Sequence, residues 1–469
     1  MNNVIASVII INFNGMNFLT KSLKGLLEQS FPLEQFEIIV VDNGSTDGSI
    51  EYIEKNYEKV LLIKNNENLG FAPANNSAFQ IAHGIYFVLL NNDTYPDKDW
   101  LKHLVETAER NDDVGVITGK NIFYYDQLIT NIKSPTFKTE LDSRELGVIL
   151  YSVDTHAWKG NYQYLDGFYG FEKYDIEGFR WTNGNARIGI PIDPEIKPTM
   201  ITFDLNPHRD FQNEDFKEIK IPIQVFVEGH KLFDKELLVN ERCEIIFEIP
   251  PDIVNLRKPV IQNAGSFINK NGFGRDRGTI VKNNTALYES DNGQYEQKEE
   301  IFAACGANML IKKEVYEQIG GFEEKFFAYY EDTEFSWRAW LNNWKVIYEP
   351  KAIIRHIHCG TSKEWSPRFL FLTERNRLAM LLKLGGWSSI LKNVFAYFIL
   401  VVKSSLYILY KRILKKESVF EEIRNTKIRI RVFASFLTWV PRLFFFRIKN
   451  FKKFRQNRKI FQYLYSDFI

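Results

Sequence analysis

The first part of the chain alternates between short apolar runs and helical patterns, and this alternation constrains the fold more than any other feature. Continuous β-branched or aliphatic runs are typical of strands that are buried on both faces. Strands are predicted at Ser7–Ile11, Phe36–Val41, Val60–Lys64 and Tyr86–Leu90, with helices between them at Phe18–Leu27, Ser49–Tyr57 and Ala74–Ala82. This order predicts a parallel, doubly wound α/β sheet.

Three polar residues follow the ends of predicted strands. Asn12 comes directly after the first strand, Asp42 directly after the second, and Asp93 closes the Asn91-Asn92-Asp93 triplet after the fourth. In open α/β sheets, ligands bind at the carboxyl ends of the strands. We therefore expect Asn12, Asp42 and Asp93 to lie at one binding site.

The segments that follow the second and third strands are rich in turn residues and amides. In Asp42-Asn43-Gly44-Ser45-Thr46-Asp47-Gly48, a carboxylate can accept from the N3–H of a pyrimidine base, and turn N–H groups can meet ribose or phosphate oxygens. The same residues are also ordinary turn chemistry. The amides of Asn65–Asn76 suit the wall of a nucleotide site, although Asn75 or Asn76 could equally cap a helix.

The Asn91-Asn92-Asp93 triplet offers one carboxylate and neutral oxygen ligands for a divalent cation. Mg²⁺ and Mn²⁺ prefer oxygen ligands and usually take one or two carboxylates together with phosphates and water. His356 or His358 could complete a Mn²⁺ site, and each is explained as readily as a hydrogen-bonded core histidine.

A second stretch, Tyr329–Glu334, places carboxylates in an aromatic surround. Glu331 or Asp332 could take a proton from an acceptor hydroxyl. Both also stand where a helix is predicted to begin, at Thr333–Asn342, and carboxylates there cap the helix and favour its dipole. Helix capping is therefore the alternative explanation.

Arginines in the C-terminal half could hold a diphosphate or an anionic carrier. Arg275 and Arg277 lie in a glycine-rich segment, and Arg375 and Arg377 lie in the predicted helix Pro367–Leu384. Ordinary surface charge is the alternative explanation for all four.

The strand–helix alternation stops after Gly119. Residues 122–258 contain spaced β-rich runs with turn residues between them, which is typical of an immunoglobulin-like or carbohydrate-binding β-sandwich. We expect an α/β domain made of residues 1–121 and 259–385, interrupted by this inserted domain and followed by a tail at 386–469. A spacer or an oligomerisation module, and hence a homo-oligomer, is at least as good an interpretation of the insertion as glycan binding.

The tail is basic and apolar. Trp387–Ile469 contains 18 Lys+Arg and 4 Asp+Glu, a net charge of +14, whereas the whole chain has a net charge of +1. Val394–Tyr410 is nearly apolar but contains Lys403, which makes it a poor spanning helix and suits an amphipathic helix in the plane of a membrane. A helical packing or dimerisation domain is the alternative. The acidic body and the lack of a nucleic-acid motif argue against nucleic-acid binding.

The cysteines and the first residues bear on the compartment. Cys243, Cys305 and Cys359 are widely spaced and form no CxxC pair, so neither a disulfide framework nor a zinc site is expected. Met1–Ala6 lead directly into the first strand without a basic region, so we expect no signal peptide and a cytoplasmic location.

The order of these motifs resembles family 2 glycosyltransferases of the GT-A fold. The N-terminal half carries VDNGSTDGS, NLGFAPANN and LLNNDT. The C-terminal half is similar to the acceptor half of the rhamnosyltransferase-like branch and carries CGANMLIKKEVYEQIGGFEEKFFAYYEDTEFSWRAW, RHIHCGTSKEWSP and ERNRL. The resemblance covers residues 5–120 and 258–385 and leaves out the insertion and the tail.

The resemblance implies a GT-A fold and inverting transfer of a sugar from a nucleotide-diphosphate donor. It implies that Asp332 is the catalytic base, with Glu331 structural or acceptor-orienting, and that Asp93 binds Mg²⁺ or Mn²⁺ with help from His356 or His358. The implied donor site contains Asn12, Asp42 (on the base), Asn43, Ser45, Asn68, Gly70, Asn75, Asn92, Asp93, Arg275 and Arg277. The implied acceptor site contains Trp337, Arg338, Trp365 and Arg375. Where the family has an acidic DxD triplet this chain has Asn-Asn-Asp, so we expect the metal to bind mainly together with the donor.

These observations predict a metal-dependent glycosyltransferase attached to the inner face of the cell membrane. The expected acceptor is a glycan or lipid-linked oligosaccharide of the cell surface. The first donor candidate is dTDP-rhamnose, followed by UDP-sugars. The competing class is a non-catalytic glycan-binding or scaffold protein that retains the fold.

Overall fold

The computed structural model describes residues 4–140, 142–155, 162–174, 176–195, 200–209, 218–282, 285–357, 366–415, 420–450 and 464–465. The chain divides into two compact units. Unit 1 comprises Met1–Ile122, Asn263–Arg277 and Tyr295–Ile469, and unit 2 comprises Phe123–Gln262 and Gly278–Gln294. The segment Gly278–Gln294, which we expected in the α/β domain, therefore belongs to unit 2, and the C-terminal helices belong to unit 1.

The described helices and strands follow one another along the chain. The helices are α1 Met16–Leu27, α2 Ser49–Asn56, α3 Phe71–Ile81, α4 Trp100–Glu109, α5 Pro251–Val254, α6 Lys313–Ile319, α7 Glu331–Leu341, α8 Pro367–Leu384, α9 Trp387–Tyr410 and α10 Phe420–Lys449. The strands are β1 Ala6–Asn12, β2 Phe36–Asp42, β3 Leu61–Lys64, β4 Tyr86–Leu90, β5 Thr94–Pro96, β6 Val114–Lys133, β7 Ile149–Asp154, β8 Gln163–Phe168, β9 Glu172–Tyr174, β10 Glu177–Ile192, β11 Met200–Asn206, β12 Lys220–Val227, β13 His230–Leu238, β14 Cys243–Glu248, β15 Lys258–Asn263, β16 Ser266–Asn269, β17 Gly274–Asp276, β18 Thr279–Lys282, β19 Thr285–Tyr288, β20 Glu299–Glu300, β21 Asn308–Lys312, β22 Lys345–His356 and β23 Leu464–Tyr465.

The sheet of unit 1 is mixed. The strand β1 pairs in parallel with β2 and β4, and β2 pairs in parallel with β3, as the strand–helix alternation predicts. Beyond β4 the prediction of a parallel sheet is wrong, because β21 pairs antiparallel with β4 and with the start of β6. A long excursion of the chain separates β4 from β21, so no short crossover forces them to run in parallel.

Amphipathic helices cover the parallel part of this sheet. The buried residues of α1 are Leu19, Leu23 and Leu26 with Ser22, and this spacing places its leucines on one helical face. In α4, Trp100 is fully buried and its Nε1 donates to Asn308 Oδ1 at 2.8 Å. The indole therefore contributes both apolar burial and a hydrogen bond to the strand β21.

The C-terminal helices α8, α9 and α10 share a second apolar cluster of unit 1 with α7. The cluster includes Trp337, Leu378, Leu381, Tyr397, Val432, Phe436 and Trp439. Because α9 and α10 supply part of this core, a chain ending at Leu384 would expose the apolar side of α8 to water.

Unit 2 is built from antiparallel strands. The part of β6 within unit 2 pairs with β10 and β12, and β12 pairs with β13. A second set pairs β7 with β11 and β11 with β14. Residues of both sets meet in one apolar cluster that contains Leu128, Ile188, Phe203, Val225 and Phe247.

Candidate active site

The ends of the parallel strands are joined by side chains. Asn12 and Asp42 are paired in the last register position of β1 and β2, and Asn12 Nδ2 donates to Asp42 Oδ2 at 2.9 Å. Asn12 Oδ1 accepts from Asn92 Nδ2 at 2.9 Å. Asn12 therefore connects β1 and β2 to the triplet that follows β4.

The side chains of Asp42 and Asn43 form hydrogen bonds with other parts of the protein. The second carboxylate oxygen of Asp42 accepts from the backbone N–H groups of Gly44 (3.0 Å) and Ser45 (2.7 Å), and the residue is fully buried. Asn43 Nδ2 donates to Gly70 O, and its Oδ1 accepts from Asn65 Nδ2. These hydrogen bonds show that Asp42 shapes the turn after β2, and its contact with a base stays a prediction. The hydroxyl of Ser45 is half-buried and accepts from Asn14 N–H.

The NLGFAPANN segment, residues 68–76, is closely packed and internally hydrogen-bonded. Asn68 Oδ1 accepts from Gly70 N–H at 2.9 Å. Gly70 has a φ of +96°, and a Cβ there would lie 2.6 Å from the ring of Phe327, so only glycine fits. Asn75 is fully buried, and its Nδ2 donates to Phe71 O while its Oδ1 has no hydrogen-bond partner in the described part of the chain.

Asp93 and His356 form a buried pair. Asp93 Oδ1 lies 3.1 Å from His356 Nε2, and the two side chains are only 6% and 7% exposed. Antiparallel pairing of β5 with β22 sets Thr94 opposite His356, and Ile357 N–H donates to Asp93 O. His358, the other expected ligand, lies outside the described residues.

The pair offers two protein ligands to a divalent cation. Within the described ranges no cluster of three or more His, Cys, Asp or Glu side chains could hold a metal ion. Divalent cations at diphosphate sites usually take one or two carboxylates and complete their shell with phosphate oxygens and water. Asp93 and His356 therefore fit a cation that arrives with a diphosphate better than one held by protein ligands alone.

Asp332 lies in the first turn of α7, which begins two residues earlier than predicted. Its Oδ2 accepts from Gly306 N–H at 2.9 Å, and its Oδ1 accepts from Thr333 N–H at 2.6 Å. Burial raises the pKa of Asp332, while these N–H groups act in the opposite direction. A raised pKa makes a carboxylate a stronger base.

Glu331 is more deeply enclosed than Asp332. Its Oε2 has no hydrogen-bond partner among the described residues. Burial, and then the neighbouring charge of Asp332, raises the pKa of Glu331 well above its ordinary value. The two carboxyl groups therefore differ in exposure. Glu331 is buried, whereas Asp332 is half-buried and has the exposure that a base requires.

A turn at Cys305–Ala307 joins the two candidate stretches. Ala307 O accepts from Asn91 N–H at 3.3 Å, and the adjacent Gly306 donates to Asp332. A Cβ on Gly306 would lie 3.3 Å from the ring of Phe71, so the turn also packs against the start of α3. The triplet after β4 and the first turn of α7 therefore border one site, although they are far apart in sequence.

The turn before α7 is strained. Phe327, Tyr329 and Tyr330 have φ values of 68°, 71° and 70°, a region that side chains with a Cβ rarely adopt. Each such residue costs about 1–3 kcal/mol, and such strain is concentrated at functional sites. Nothing in the sequence signals this conformation, since glycine or asparagine would be expected there.

Four residues expected to contact a donor or acceptor are instead buried with protein partners. Arg277 pairs with Glu299 and packs against the rings of Tyr295 and Tyr348. Arg338 donates from Nε to both oxygens of Glu334. These arrangements correct the expectation that Arg277 and Arg338 face a ligand.

Arg375 and Trp337 are corrected in the same way. Arg375 Nη2 donates to the carbonyl oxygens of Lys325 and Phe326, and Trp337 is 1% exposed with its ring against Phe302. Arg275 is half-buried on β17, and Trp365 lies outside the described residues.

Residues 7–165 match the model of Glycosyl transferase family 2. This match, with the mixed sheet of unit 1, confirms the expected α/β fold of GT-A type. The match does not distinguish the rhamnosyltransferase-like branch.

Several curated glycosyltransferases are similar to part of the chain. Identity is 33% over 109 residues to the dolichyl N-acetyl-α-D-glucosaminyl phosphate 3-β-D-2,3-diacetamido-2,3-dideoxy-β-D-glucuronosyltransferase of Methanococcus voltae, covering 22% of this chain and 34% of that protein. It is 32% over 120 residues to the poly(ribitol-phosphate) β-N-acetylglucosaminyltransferase TarS of Staphylococcus aureus, covering 25% and 21%. It is 28% over 158 residues to the putative teichuronic acid biosynthesis glycosyltransferase TuaG of Bacillus subtilis, covering 32% and 62%. The chain therefore spans less than two thirds of the length of these relatives.

Two solved structures align over most of this chain. GalNAc-T7 with UDP, GalNAc and Mn²⁺ has a TM-score of 0.45 and 12% identity, covering 96% of this chain and 58% of that one. S. aureus TarS 1–349 has a TM-score of 0.37 and 13% identity, covering 99% and 94%. Both scores are too low to support a conclusion about this chain.

Proposed function

We propose that this chain is an inverting glycosyltransferase that uses a nucleotide-diphosphate sugar. In a single displacement, the acceptor oxygen bonds to the anomeric carbon as the bond from that carbon to the diphosphate oxygen breaks. The acceptor proton passes to Asp332. The raised pKa of Asp332 favours this proton transfer, since a general base works best when its pKa approaches the operating pH.

The observation that carries this proposal is the turn at Cys305–Ala307. It contacts Asn91 on one side and Asp332 on the other, so the expected diphosphate site and the expected base border the same space. The family match over residues 7–165 supports the reaction class independently of this geometry.

We propose that Asp93 and His356 hold a divalent cation together with the donor. Bound there, Mg²⁺ or Mn²⁺ would stabilise the negative charge of the leaving diphosphate. His356 Nε2 lies within hydrogen-bonding distance of Asp93 Oδ1, and two protein ligands leave the rest of the cation's shell to the diphosphate and water. The binding of cation and donor should therefore depend on each other.

We propose a glycan or lipid-linked oligosaccharide of the cell surface as acceptor. Two relatives have names that place them on poly(ribitol-phosphate) or in teichuronic acid biosynthesis, which are surface polymers. For the donor, dTDP-rhamnose is tested first and UDP-sugars second.

The test is a screen of nucleotide sugars with Mg²⁺ or Mn²⁺, followed by Asp332→Asn. The wild type should transfer or hydrolyse one donor, and Asp332→Asn should lower kcat by about 10²–10⁴-fold while donor binding is retained. Glu317→Gln on the exposed face of α6 is the matched control. Unchanged turnover in Asp332→Asn would show that the base is wrongly assigned, and donor binding without turnover in the wild type would favour a non-catalytic binding protein.

A second test concerns the cation. His356→Ala should weaken metal-dependent donor binding by about 10-fold or more, as the loss of a ligand or its partner does, and the loss should shrink as the metal concentration rises. His230→Ala, an exposed histidine of unit 2, should leave it unchanged. Equal donor affinity with and without metal in the wild type would contradict a cation at this pair.

We also propose that the C-terminal helices attach the chain to a membrane from the cytoplasmic side. In the described part of the chain, one helical segment, Trp387–Ile413, is long and apolar enough to cross a membrane, and little of it is buried. It is held beside α10, because Arg429 donates to Ser404 at 2.6 Å and Lys411 pairs with Glu422 at 3.0 Å.

This side-by-side arrangement favours a helix lying in the membrane plane. The neighbouring segment of α10 carries the charged residues Glu421, Glu422, Arg424, Lys427, Arg429 and Arg431. If α9 spanned the bilayer, these charges would enter the hydrocarbon, which is costly for each of them. An in-plane orientation buries the apolar face of α9 and leaves the charges in water.

A further inference from the structure

We propose that Arg375 and Asn376 are positioning residues for the catalytic base, an inference that rests on the proposed function of Asp332. They act on the residues Phe326–Tyr330, called here the aromatic turn, which lead directly into α7. The inference follows from their hydrogen bonds to this turn, from its backbone conformation, and from its contacts on both sides of the site.

Asn376 binds the aromatic turn through three carbonyl groups. Its Nδ2 lies 3.0 Å from Phe326 O, 2.9 Å from Ala328 O and 2.8 Å from Tyr329 O, so its two N–H groups serve three acceptors and one N–H is shared. Only the NH₂ end of an amide can face three carbonyl oxygens, so the orientation of this side chain follows from chemistry. Asn376 is fully buried, so water does not compete for these bonds.

Arg375 holds the side chain of Asn376 in place and also binds the aromatic turn directly. Its Nε and Nη2 donate to Asn376 Oδ1 at 3.1 and 2.9 Å, and Nη2 also donates to Phe326 O at 3.1 Å. The guanidinium packs against the rings of Phe371 and Trp439. The arginine is thus held by two aromatic rings while it holds the amide in place.

The aromatic turn needs such support because three of its residues are left-handed. Phe327, Tyr329 and Tyr330 carry large side chains at positive φ. Conformations of this kind persist only where surrounding contacts determine them. The carbonyl groups bound by Asn376 belong to this turn, and each directly precedes one of the three strained residues, so their hydrogen bonds hold the backbone where the sequence disfavours it.

The aromatic turn contacts both sides of the candidate site. Phe327 O accepts from Ala72 N–H at 3.1 Å in the first turn of α3. The hydroxyl of Tyr330 accepts from Gly274 N–H at 3.4 Å. Tyr330 O also accepts from Glu334 N–H at 2.8 Å, which closes the first turn of α7 around Asp332. A shift of the aromatic turn would therefore move Asp332 relative to the donor side.

The test compares Asn376→Asp with Thr373→Val in the full chain. Asn376→Asp keeps the shape and the acceptor for Arg375 but replaces the donor with a carboxylate facing three carbonyls. Thr373→Val removes a hydrogen bond of the same helix that does not touch the aromatic turn, since Thr373 Oγ1 donates to Phe369 O. Asn376→Ala, which adds no charge, provides a second variant if the first folds poorly.

Hydrogen exchange and steady-state kinetics are both measured. In Asn376→Asp we expect amides of the aromatic turn to exchange about 10-fold faster, while those of β4 are unchanged. We expect kcat to fall about 10- to 100-fold, as for a catalytic group displaced by about 1 Å, with donor KM within about threefold. Thr373→Val should change neither quantity.

If the amides of the aromatic turn exchanged faster in Asn376→Asp but kcat were unchanged, the positioning role would be overturned. Unchanged exchange of these amides would also overturn it. A fall in kcat matched by an equal rise in donor KM would also overturn it, because that pattern indicates a general loss of the site. If the wild type transferred no sugar, the proposed function would fail, and the exchange experiment would still decide whether Asn376 holds the aromatic turn.

Discussion

Glu331 and Asp332 are adjacent in sequence but have different surroundings. Asp332 is held by three donors from Gly306 and Thr333, whereas one oxygen of Glu331 has no partner in the described part of the chain. The same burial therefore stabilises the neutral form of Glu331 and leaves Asp332 available as a base.

This difference predicts a pH dependence of catalysis. Burial raises the pKa of Asp332 above the ordinary aspartate value of 3.8. The protonated carboxyl group cannot accept a proton, so kcat should fall as the pH drops through this raised pKa. The measurement is kcat against pH at saturating donor and metal. A rate that stays constant from neutral pH down to the ordinary aspartate pKa would contradict it.

The burial of Glu331 predicts that Glu331→Gln stabilises the fold at high pH. The pKa of Glu331 is raised well above 4.5, so the folded state keeps a proton that the unfolded chain releases. Folding then becomes less favourable as the pH rises above the unfolded value, and glutamine removes this cost. We expect the Tm to rise by about 2–4 °C at neutral to alkaline pH, with a smaller change near pH 5.

Glu317→Gln, an exposed residue on α6, is the control for this stability measurement. It should change the Tm by less than about 1 °C at either pH. A gain for Glu331→Gln that is equal at both pH values would contradict the titration of Glu331.

Residue chemistry in the sequence indicated part of this site. The strand ends predicted that Asn12 and Asp42 lie together, because strand–helix alternation places such ends at one edge of the sheet. The assignment of Asp332 as the base stays a prediction. The burial of Arg277 and Arg375 could not be predicted, because their partners are distant in sequence and only tertiary packing brings them near. The pairing of Arg338 with Glu334, four residues earlier on α7, is a local contact. The left-handed aromatic turn gave no signal in the sequence either.

At the scale of elements, α9 has two different sides. Ile390 and Tyr397 are buried in the helical cluster of unit 1, whereas Leu391 and Phe395 are 66% and 65% exposed. An exposed apolar face on a long helix with basic neighbours is typical of a helix that lies on a membrane.

The expected result is that Leu391→Ser/Phe395→Ser weakens binding to anionic vesicles. Each substitution removes most of a large apolar side chain, and burial of such a side chain contributes about 1.5–3 kcal/mol, so together they should lower partitioning at least 10-fold. Folding should be unchanged because both side chains are exposed. The control is Leu256→Ser, an exposed leucine of unit 2.

Equal vesicle binding by the double variant and the wild type would refute the membrane role of this face. Binding to oligonucleotides at the same ionic strength would instead assign the basic residues to nucleic acid. Removal of α9 and α10 is a poor test, because these helices contribute to the core around α8.

Element positions were predicted more closely than element pairing. The bounds of α8 agree with the predicted helix Pro367–Leu384, because helical periodicity and a proline at a helix start are local signals. The antiparallel position of β21 beside β4 was missed, because pairing between distant strands has no local signal.

At the scale of the molecule, a buried charge network connects several segments of unit 1. Lys383 of α8 pairs with Glu334 of α7 at 2.8 Å and with Glu323 at 3.0 Å, and Arg442 of α10 also pairs with Glu323. The charges connect the helix of the candidate base to the C-terminal helices. Breaking such a network leaves uncompensated buried charge.

The network predicts acid sensitivity. Burial alone would raise the pKa of Glu323, but Lys383 and Arg442 lower it to about 2. A depressed pKa gives stability that is present above the unfolded value of 4.5 and is lost as the pH falls through about 2. Glu323→Gln should lower the free energy of unfolding by about 3–5 kcal/mol at neutral pH and weaken its dependence on pH below 4.5.

Denaturant unfolding at pH 7 and at several pH values between 4.5 and about 2 measures this effect. Glu106→Gln breaks an exposed ion pair with Arg110 and should cost less than about 1 kcal/mol. A Glu323→Gln variant as stable as the wild type at neutral pH would contradict the proposed importance of the network.

The pairing of β4 with β21 has a consequence for synthesis of the chain. Leu90 pairs with Asn308, so the edge of β4 has no partner on that side until more than 200 further residues have been made. At translation rates of about 5–20 residues per second, this interval lasts roughly 10–40 s. An apolar strand edge left open for that long can recruit other strands. Yield in the cell should therefore depend on chaperones that bind nascent chains and on how quickly ribosomes traverse unit 2.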